Sequence, residues 1–227
     1  EYARDIEKRY VVDNLPNYYI IGCHYSDDAN NTYQDKMQEF LQKGCVAIGF
    51  MDWIDFSECM GKSDNEVKEF VHRNWRSTSE NEKTASNNLT LLSKMKKGDI
   101  VAVKSKGIKD LTIIAYAVVV ERNGSVYSYD RQGLGHQIHV EFLDVDFKKQ
   151  LSLTYAQTLH HLTPSKDGDK FNQVFGWYAN IPITNDGTVI EDKDMDIDDL
   201  YNESGYNDKS ETSFVRSSSA SVTVNLV

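Results

Sequence analysis

The chain has few cysteines and no long apolar run, and these absences exclude several classes of protein. Its 227 residues contain three cysteines and no CxxC pair, so neither a disulfide framework nor a structural zinc site is indicated. No apolar stretch approaches the roughly 18 residues of a membrane-spanning helix, and the charged start lacks a signal-peptide core. We therefore expect a cytoplasmic chain with no membrane partner, and its 40% apolar residues suffice for a folded core.

Signatures of common enzymes are also missing. The GKS at 61–63 ends like a phosphate loop, but the first glycine of that motif would have to stand at Phe56. The HVE at 139–141 resembles the HxE of zinc deaminases, yet no PCxxC follows it. His160 and His161 are adjacent and would make a poor chelating pair on a helix. We expect no catalytic residue, no metal and no cofactor, so any nuclease or NTPase activity would lie on another segment or partner.

Negative charge is concentrated at one end of the chain. The net charge is −10, and residues 181–227 contain ten acidic against three basic residues, which leaves only about −3 for residues 1–180. The charge of residues 1–180 is therefore low enough to allow contact with nucleic acid. Arg73 and Arg76 flank Trp75, and a cluster of lysines either faces solvent or contacts phosphates. The candidate phosphate-contacting lysines are Lys94, Lys96, Lys97, Lys104 and Lys106.

Composition divides the chain into three parts. Residues 1–16 read as an N-terminal linker, residues 17–180 as one compact domain, and residues 181–227 as an acidic, serine-rich tail. Within the domain, the apolar run YYIIGCHY predicts a buried first strand. Further strands are predicted at 46–50, 100–104, 111–121 and 136–143. Five or six strands with flanking helices suit a small mixed α/β barrel.

Helices are predicted between these strands. Tyr33 and Met37 begin an apolar face at helical spacing, which Gly44 would end. A second helix is expected at about 64–76, and a third carries Leu91 and Leu92 on its inner face. LSLTYAQTLHHL and FNQVFGWY are interpreted as two terminal helical pieces, and GSVYSYDRQGLG as a loop.

Aromatic and small polar residues near strand ends suggest binding instead of turnover. Trp53 follows an apolar strand and stands beside Asp55 and Ser57. An indole there can stack on a planar ligand while a carboxylate or hydroxyl binds its edge, although core packing is the alternative. Trp75 lies on the apolar side of its helix, which favours packing. Asn88 shares the inner face of the third helix, so its amide either bonds a nearby backbone group or points into a ligand pocket.

The order of the motifs resembles the EVE branch of the PUA-like superfamily, which is related to YTH domains. The motifs are YYIIGCHYSDD, GCVAIGFMDWIDFS, ASNNLTLLSKMKKGDIVAVK, LTIIAYAVVV and HQIHVEFL. The resemblance covers about residues 17–178 and is strongest to EVE-like domains of Mcr-type, modification-dependent restriction systems. The chain departs from the family pattern at Phe50 and Met51, where Gly-Trp is common, and at Phe142, where Trp is common.

This resemblance implies a non-catalytic reader domain that binds a modified base turned out of DNA for a prokaryotic defence system. Methylated or hydroxymethylated cytosine is the first choice of ligand, and N6-methyladenine the second. An RNA-binding PUA-like module, or a regulatory domain for a protein or nucleotide, is the alternative. The implied base-binding residues are His24, Tyr25, Ser26, Trp53, Asp55, Ser57, Trp75 and Asn88.

Overall fold

The computed structural model describes residues 15–27, 32–77, 81–176 and 178. All of them fall within the first of two units into which the chain divides, Glu1–Ile190. The predicted acidic tail, and all but the last two residues of the predicted linker, lie outside the described residues. Among the described helices, none combines the length and apolar character that crossing a membrane requires.

The described part is a mixed α/β structure, as the sequence predicted, and its main sheet curls into a half-barrel. The strands are β1 (Tyr18–Gly22), β2 (His24–Asp27), β3 (Thr32–Asp35), β4 (Cys45–Ile48), β5 (Ile100–Lys106), β6 (Leu111–Val119), β7 (Tyr127–Asp130), β8 (Gly135–Asp144), β9 (Lys149–Leu151) and β10 (Leu159–Leu162). The helices are α1 (Met37–Lys43), α2 (Asp64–Asn74), α3 (Glu82–Leu92) and α4 (Pro164–Phe175), and Ser57–Cys59 forms a 3-10 turn.

The main sheet has the strand order β10-β1-β5-β6-β8-β4. The β1–β5 pair is parallel and the other pairs along this path are antiparallel. β7 pairs with the first half of β8, and β9 pairs with β6. β2 and β3 form a separate hairpin. Both neighbours of β1 are therefore distant in sequence.

Apolar residues cover both faces of the sheet. In β1, Tyr19 and Ile21 belong to a core shared with α1, α2 and α3, whereas Tyr18 and Ile20 belong to a second core shared with α4. This alternation follows from the two-residue period of a strand. Because both faces are buried, the strand reads as a continuous apolar run.

Local signals define the helix ends. Ser63 and Glu66 form a reciprocal capping box at the start of α2, which satisfies two backbone donors. Asn81 caps α3 through the Thr84 N–H. Gly44 adopts the left-handed conformation at the end of α1, as predicted.

Three predicted elements were wrong. Tyr33 does not begin a helix: it lies in β3 with 75% of its surface exposed, because the hairpin with β2 uses this segment. LSLTYAQTLHHL is not a helix: it contains the last residue of β9 and the whole of β10, which pairs with β1 at the edge of the main sheet. The segment predicted as the loop GSVYSYDRQGLG contains β7, which pairs with β8.

Candidate functional site

The loop after β4, residues 49–56 (the Trp53 loop), lies where β7 ends and β8 begins. Met51 has a φ of +55° although it is not glycine, and its side chain is buried. Backbone conformations of this kind are uncommon for side chains and persist where the surroundings enforce them. Tyr129 donates a hydrogen bond to the Asp52 carbonyl at 2.5 Å. The loop is thus fixed to β7 in a defined shape.

Tyr25 connects the β2–β3 hairpin to this loop. Its hydroxyl donates to the Leu134 carbonyl at 2.8 Å. A Cβ at position 49 would lie 3.0 Å from the Tyr25 ring, so Gly49 allows the ring to pack flat against the backbone. Burial raises the pKa of Tyr25 well above its usual value, which keeps the hydroxyl neutral. Tyr25 therefore links the β2–β3 hairpin to the Trp53 loop.

Trp53 and Trp75 form an aromatic pair at the outer side of the loop. Their ring centroids lie 6.2 Å apart at an interplanar angle of 66°, the edge-to-face arrangement that aromatic quadrupoles favour. The Trp53 Nε1 donates to the Asn74 carbonyl at 3.3 Å. Both side chains are half-buried against the core. Part of each indole thus supports the fold, and the remainder faces solvent.

Asp55 presents a carboxylate in the same loop, two residues after Trp53. Its Oδ1 accepts from the Ser57 N–H at 2.9 Å and from the Tyr127 hydroxyl at 3.3 Å. Both Asp55 and Ser57 are exposed. Within the described residues, Oδ2 of Asp55 has no hydrogen-bond partner. One oxygen is therefore positioned by the protein while the other is available to a ligand.

A buried histidine that is absent from the predicted site residues lies beneath Asp55. The His136 ring is fully buried, and its Nδ1 lies 2.9 Å from the Tyr127 hydroxyl, which also accepts from the Phe56 N–H. Its Nε2 has no partner of good geometry in the described chain, although the Phe50 and Met51 backbone favours the protonated ring. Burial nevertheless lowers the pKa of His136. The signal for it was the histidine that opens HQIHVEFL.

Asn88 is occupied by the fold. Its Nδ2 donates to the Thr84 carbonyl at 2.8 Å, and its Oδ1 accepts from the Leu159 N–H at 2.8 Å. The side chain is almost fully buried. The expected inward amide is confirmed, and both of its polar atoms bond backbone groups. This arrangement favours the structural interpretation over contact with a ligand.

The two other candidates on β2 lie apart from the Trp53 loop. His24 and Ser26 are exposed, and among the described residues no hydrogen bond, ion pair or ring contact joins either of them to Trp53. The His24 Nε2 instead lies 3.8 Å from the Asp35 carboxylate. Together with Cys23, these residues place three donor atoms within 4.8 Å of one another.

The predicted lysine surface is largely engaged by acidic partners. Lys94 pairs with Asp64 at 2.7 Å. Lys96 pairs with Asp99 at 3.4 Å and Lys97 with Glu121 at 3.9 Å. The Lys94 and Lys97 pairs lie at the surface, where ion pairs are weak. The Asp99 carboxylate is fully buried, whereas its partner Lys96 is exposed.

The remaining two candidates, on β5, differ from each other. Lys104 is buried, and its Nζ donates to the Tyr155 and Gln157 carbonyls. Burial lowers its pKa to about 8. Lys106 is exposed and has no ion pair within the described residues. Lys104 therefore serves the fold, whereas Lys106 is available to a ligand.

A depression of about 300 Å³ lies elsewhere, between the 3-10 turn and α2. Glu58, Lys62, Glu66 and Arg73 line it together with Phe70. Glu69 lines it as well, so three carboxylates face two cationic groups and a small negative excess remains. Trp53 and Asp55 do not line it.

The model of one protein family, described as Domain of unknown function (DUF8426), matches residues 25–163, more than half of the chain. No curated protein matches the chain.

Proposed function

We propose that this chain, which belongs to the DUF8426 family, is a non-catalytic reader domain for a modified base in DNA. In this proposal the half-barrel is a PUA-like fold of EVE type, and the base leaves the duplex to stack on the Trp53–Trp75 face. The reader would serve a restriction or defence system whose nuclease or NTPase lies on another segment or chain.

One observation carries the proposal: two half-buried indoles stand edge to face, and Asp55, two residues after Trp53 in the same loop, has a carboxylate oxygen that no described residue bonds. Turning a base out of a duplex costs a few kcal/mol, and stacking on an aromatic side chain returns about 1 to 3 kcal/mol. The hydrogen bond from Trp53 to Asn74 fixes one indole in advance, so little conformational entropy is lost on binding.

Asp55 supports cytosine derivatives as the first choice. A carboxylate accepts from the exocyclic amino group of cytosine, and the Oδ2 of Asp55 is available for that bond. One buried methyl group stabilises a complex by only about 0.8 kcal/mol, roughly fourfold. Selectivity above that level requires a polar group that the unmodified base leaves unpaired.

Basic residues near the pair support an interaction with phosphates. Arg73 and Arg76 are exposed on either side of Trp75. Guanidinium groups bind phosphate oxygens with two parallel hydrogen bonds. The described domain thus offers positive charge beside the aromatic face, despite the negative charge of the whole chain.

The test is a titration of the full chain with oligonucleotides of one sequence that carry 5-methylcytosine, 5-hydroxymethylcytosine, N6-methyladenine or no modification, as DNA and as RNA, at two salt concentrations. We expect one modified DNA to bind most tightly. Equal affinity for all modified and plain DNA would overturn the proposal. Tighter binding of RNA would identify the RNA-binding alternative, and no binding of any oligonucleotide would favour a regulatory domain.

A matched pair of variants locates the site. Trp53→Leu and Trp53→Phe both remove the indole N–H that bonds Asn74, but only phenylalanine keeps an aromatic face. We expect Trp53→Leu to weaken binding of the modified DNA by about 1 to 3 kcal/mol, and Trp53→Phe to weaken it less. Equal losses, or none, would place the base elsewhere.

A further inference from the structure

The junction between β1 and β2 brings together a thiol, an imidazole and a carboxylate. Cys23, His24 and Asp35 offer one donor atom each, and these three atoms all lie within 4.8 Å of one another. The thiol lies in the protein interior, whereas His24 and Asp35 lie at the surface. The cluster therefore has its sulfur atom on the buried side and its imidazole and carboxylate groups on the solvent side.

Backbone hydrogen bonds and strand pairing hold this cluster in place. The Cys23 N–H donates to the Lys104 carbonyl at 3.1 Å, and the Lys36 N–H donates to the Cys23 carbonyl at 2.8 Å. His24 and Asp35 are directly opposed in the β2–β3 register. Consecutive residues of a regular strand point to opposite faces, but Cys23 belongs to neither β1 nor β2. This interruption of the strand allows the Cys23 and His24 side chains to approach the same point.

We propose that Cys23, His24 and Asp35 bind one zinc ion, with a fourth position open to water. Zinc prefers sulfur, nitrogen and oxygen donors in tetrahedral geometry, which places ligand atoms about 3.4 to 3.6 Å apart at the usual bond lengths. The His24–Asp35 separation of 3.8 Å is already close to that spacing. Calcium and magnesium require oxygen ligands instead.

Charge balance also suits a divalent ion. A thiolate and a carboxylate offset the two charges of zinc, and the imidazole binds as a neutral ligand. On binding, the thiol proton leaves to solvent as the sulfur–zinc bond forms.

The ion would join β2 to β3 at the base of the hairpin that carries Tyr25. The hairpin reaches the Trp53 loop through that tyrosine. Zinc binding does not depend on the proposed recognition of DNA, and its test involves no nucleic acid.

The test uses the full, reduced chain after treatment with a chelator, titrated with Co²⁺ and then Zn²⁺. We expect one equivalent of Co²⁺ to produce a thiolate-to-cobalt charge-transfer band together with tetrahedral d–d bands, and Zn²⁺ to displace it. Cys23→Ser should abolish the charge-transfer band. Cys59→Ser, which removes another buried thiol, is the matched control and should keep it.

Two further variants allow for the chance that Cys23→Ser does not fold. His24→Ala and Asp35→Asn alter exposed residues, and circular dichroism can check their folding. We expect each to weaken zinc binding by about tenfold or more, because even the loss of a residue that only hydrogen-bonds to a metal ligand typically has an effect of this size. Absence of a thiolate band, or unchanged affinity in both variants, would overturn the proposal.

Discussion

The side chain of Asn88 joins helix α3 to strand β10, because its Oδ1 accepts from the Leu159 N–H at 2.8 Å. The same amide donates to the Thr84 carbonyl within its own helix. One polar side chain in the core thus bridges two elements that are distant in sequence, and both its nitrogen and its oxygen already bond backbone groups.

Replacement of Asn88 is expected to destabilise the protein. Asn88→Ala leaves the Leu159 N–H buried without a partner, which costs about 1 to 3 kcal/mol of unfolding free energy. Urea unfolding followed by circular dichroism measures the change. Asn87→Ala, at an exposed position of the same helix, is the control. Unchanged stability in Asn88→Ala, together with weaker DNA binding, would show that this residue contacts the base.

Two glycines with similar backbone angles but different surroundings give a second prediction. Gly135 has a φ of +75°, and a Cβ there would lie 3.0 Å from the Ile48 carbonyl oxygen. Gly124 has a φ of +78° and open space around it. Alanine at either site strains the backbone by about 1 kcal/mol, but only Gly135→Ala also pushes against β4. We expect a larger loss of stability for Gly135→Ala in thermal unfolding. Equal losses would show that β4 moves away from the added methyl group at little energetic cost.

The pattern of buried strands could be predicted because both faces of the sheet are covered. The apolar runs at β1, β5 and β6 therefore stand out, and their predicted positions agree with the structure within a few residues. The α2 helix was predicted at about 64–76 from its apolar face, and the structure places it at Asp64–Asn74. The short strand β10 was missed because its pairing depends on β1, far away along the chain. β3 was missed because Tyr33 continues the helical spacing of the apolar residues that follow it.

The candidate site was less predictable because its residues come from elements that are separate in sequence. The positions of Trp53 and Asp55 after an apolar strand indicated a loop, and the structure brings Trp75 and Tyr127 to them from separate elements. The metal-ligand cluster gave no sequence signal. Cys23 and His24 are adjacent, and only the hairpin register opposes His24 to Asp35.

Stability is expected to fall below pH 6.5 in part because of His160. Burial, reinforced by the positive charge of Lys104, lowers the pKa of His160 from 6.5 to about 4. Between these values the unfolded chain binds a proton that the folded chain does not, so acidification favours unfolding. His160→Gln removes this contribution. We expect the difference in Tm between wild type and variant to change between pH 6.5 and 4 and to stay constant at higher pH; a constant difference throughout would contradict the assignment.

Lys104 and Lys106 are expected to differ in kind. Lys104→Met leaves the Tyr155 and Gln157 carbonyls without their ammonium partner, and we expect a loss of about 1 to 3 kcal/mol of unfolding free energy. Lys106→Gln should leave stability unchanged. If Lys106 contacts a phosphate, that variant lowers the slope of log affinity against log salt concentration by about 0.9. An unchanged slope would remove Lys106 from the interface.

The position of β1 between β5 and β10 has a consequence for how the protein is made. Tyr18 pairs with Ile100 on one side and with Leu162 on the other, so β1 leaves the ribosome long before β10, its last neighbour, has been made. Pairings of such long range slow folding. Until they form, an apolar strand with two open edges is exposed to other chains. Exposure of β1 during synthesis is therefore expected to require chaperones until β10 pairs with it.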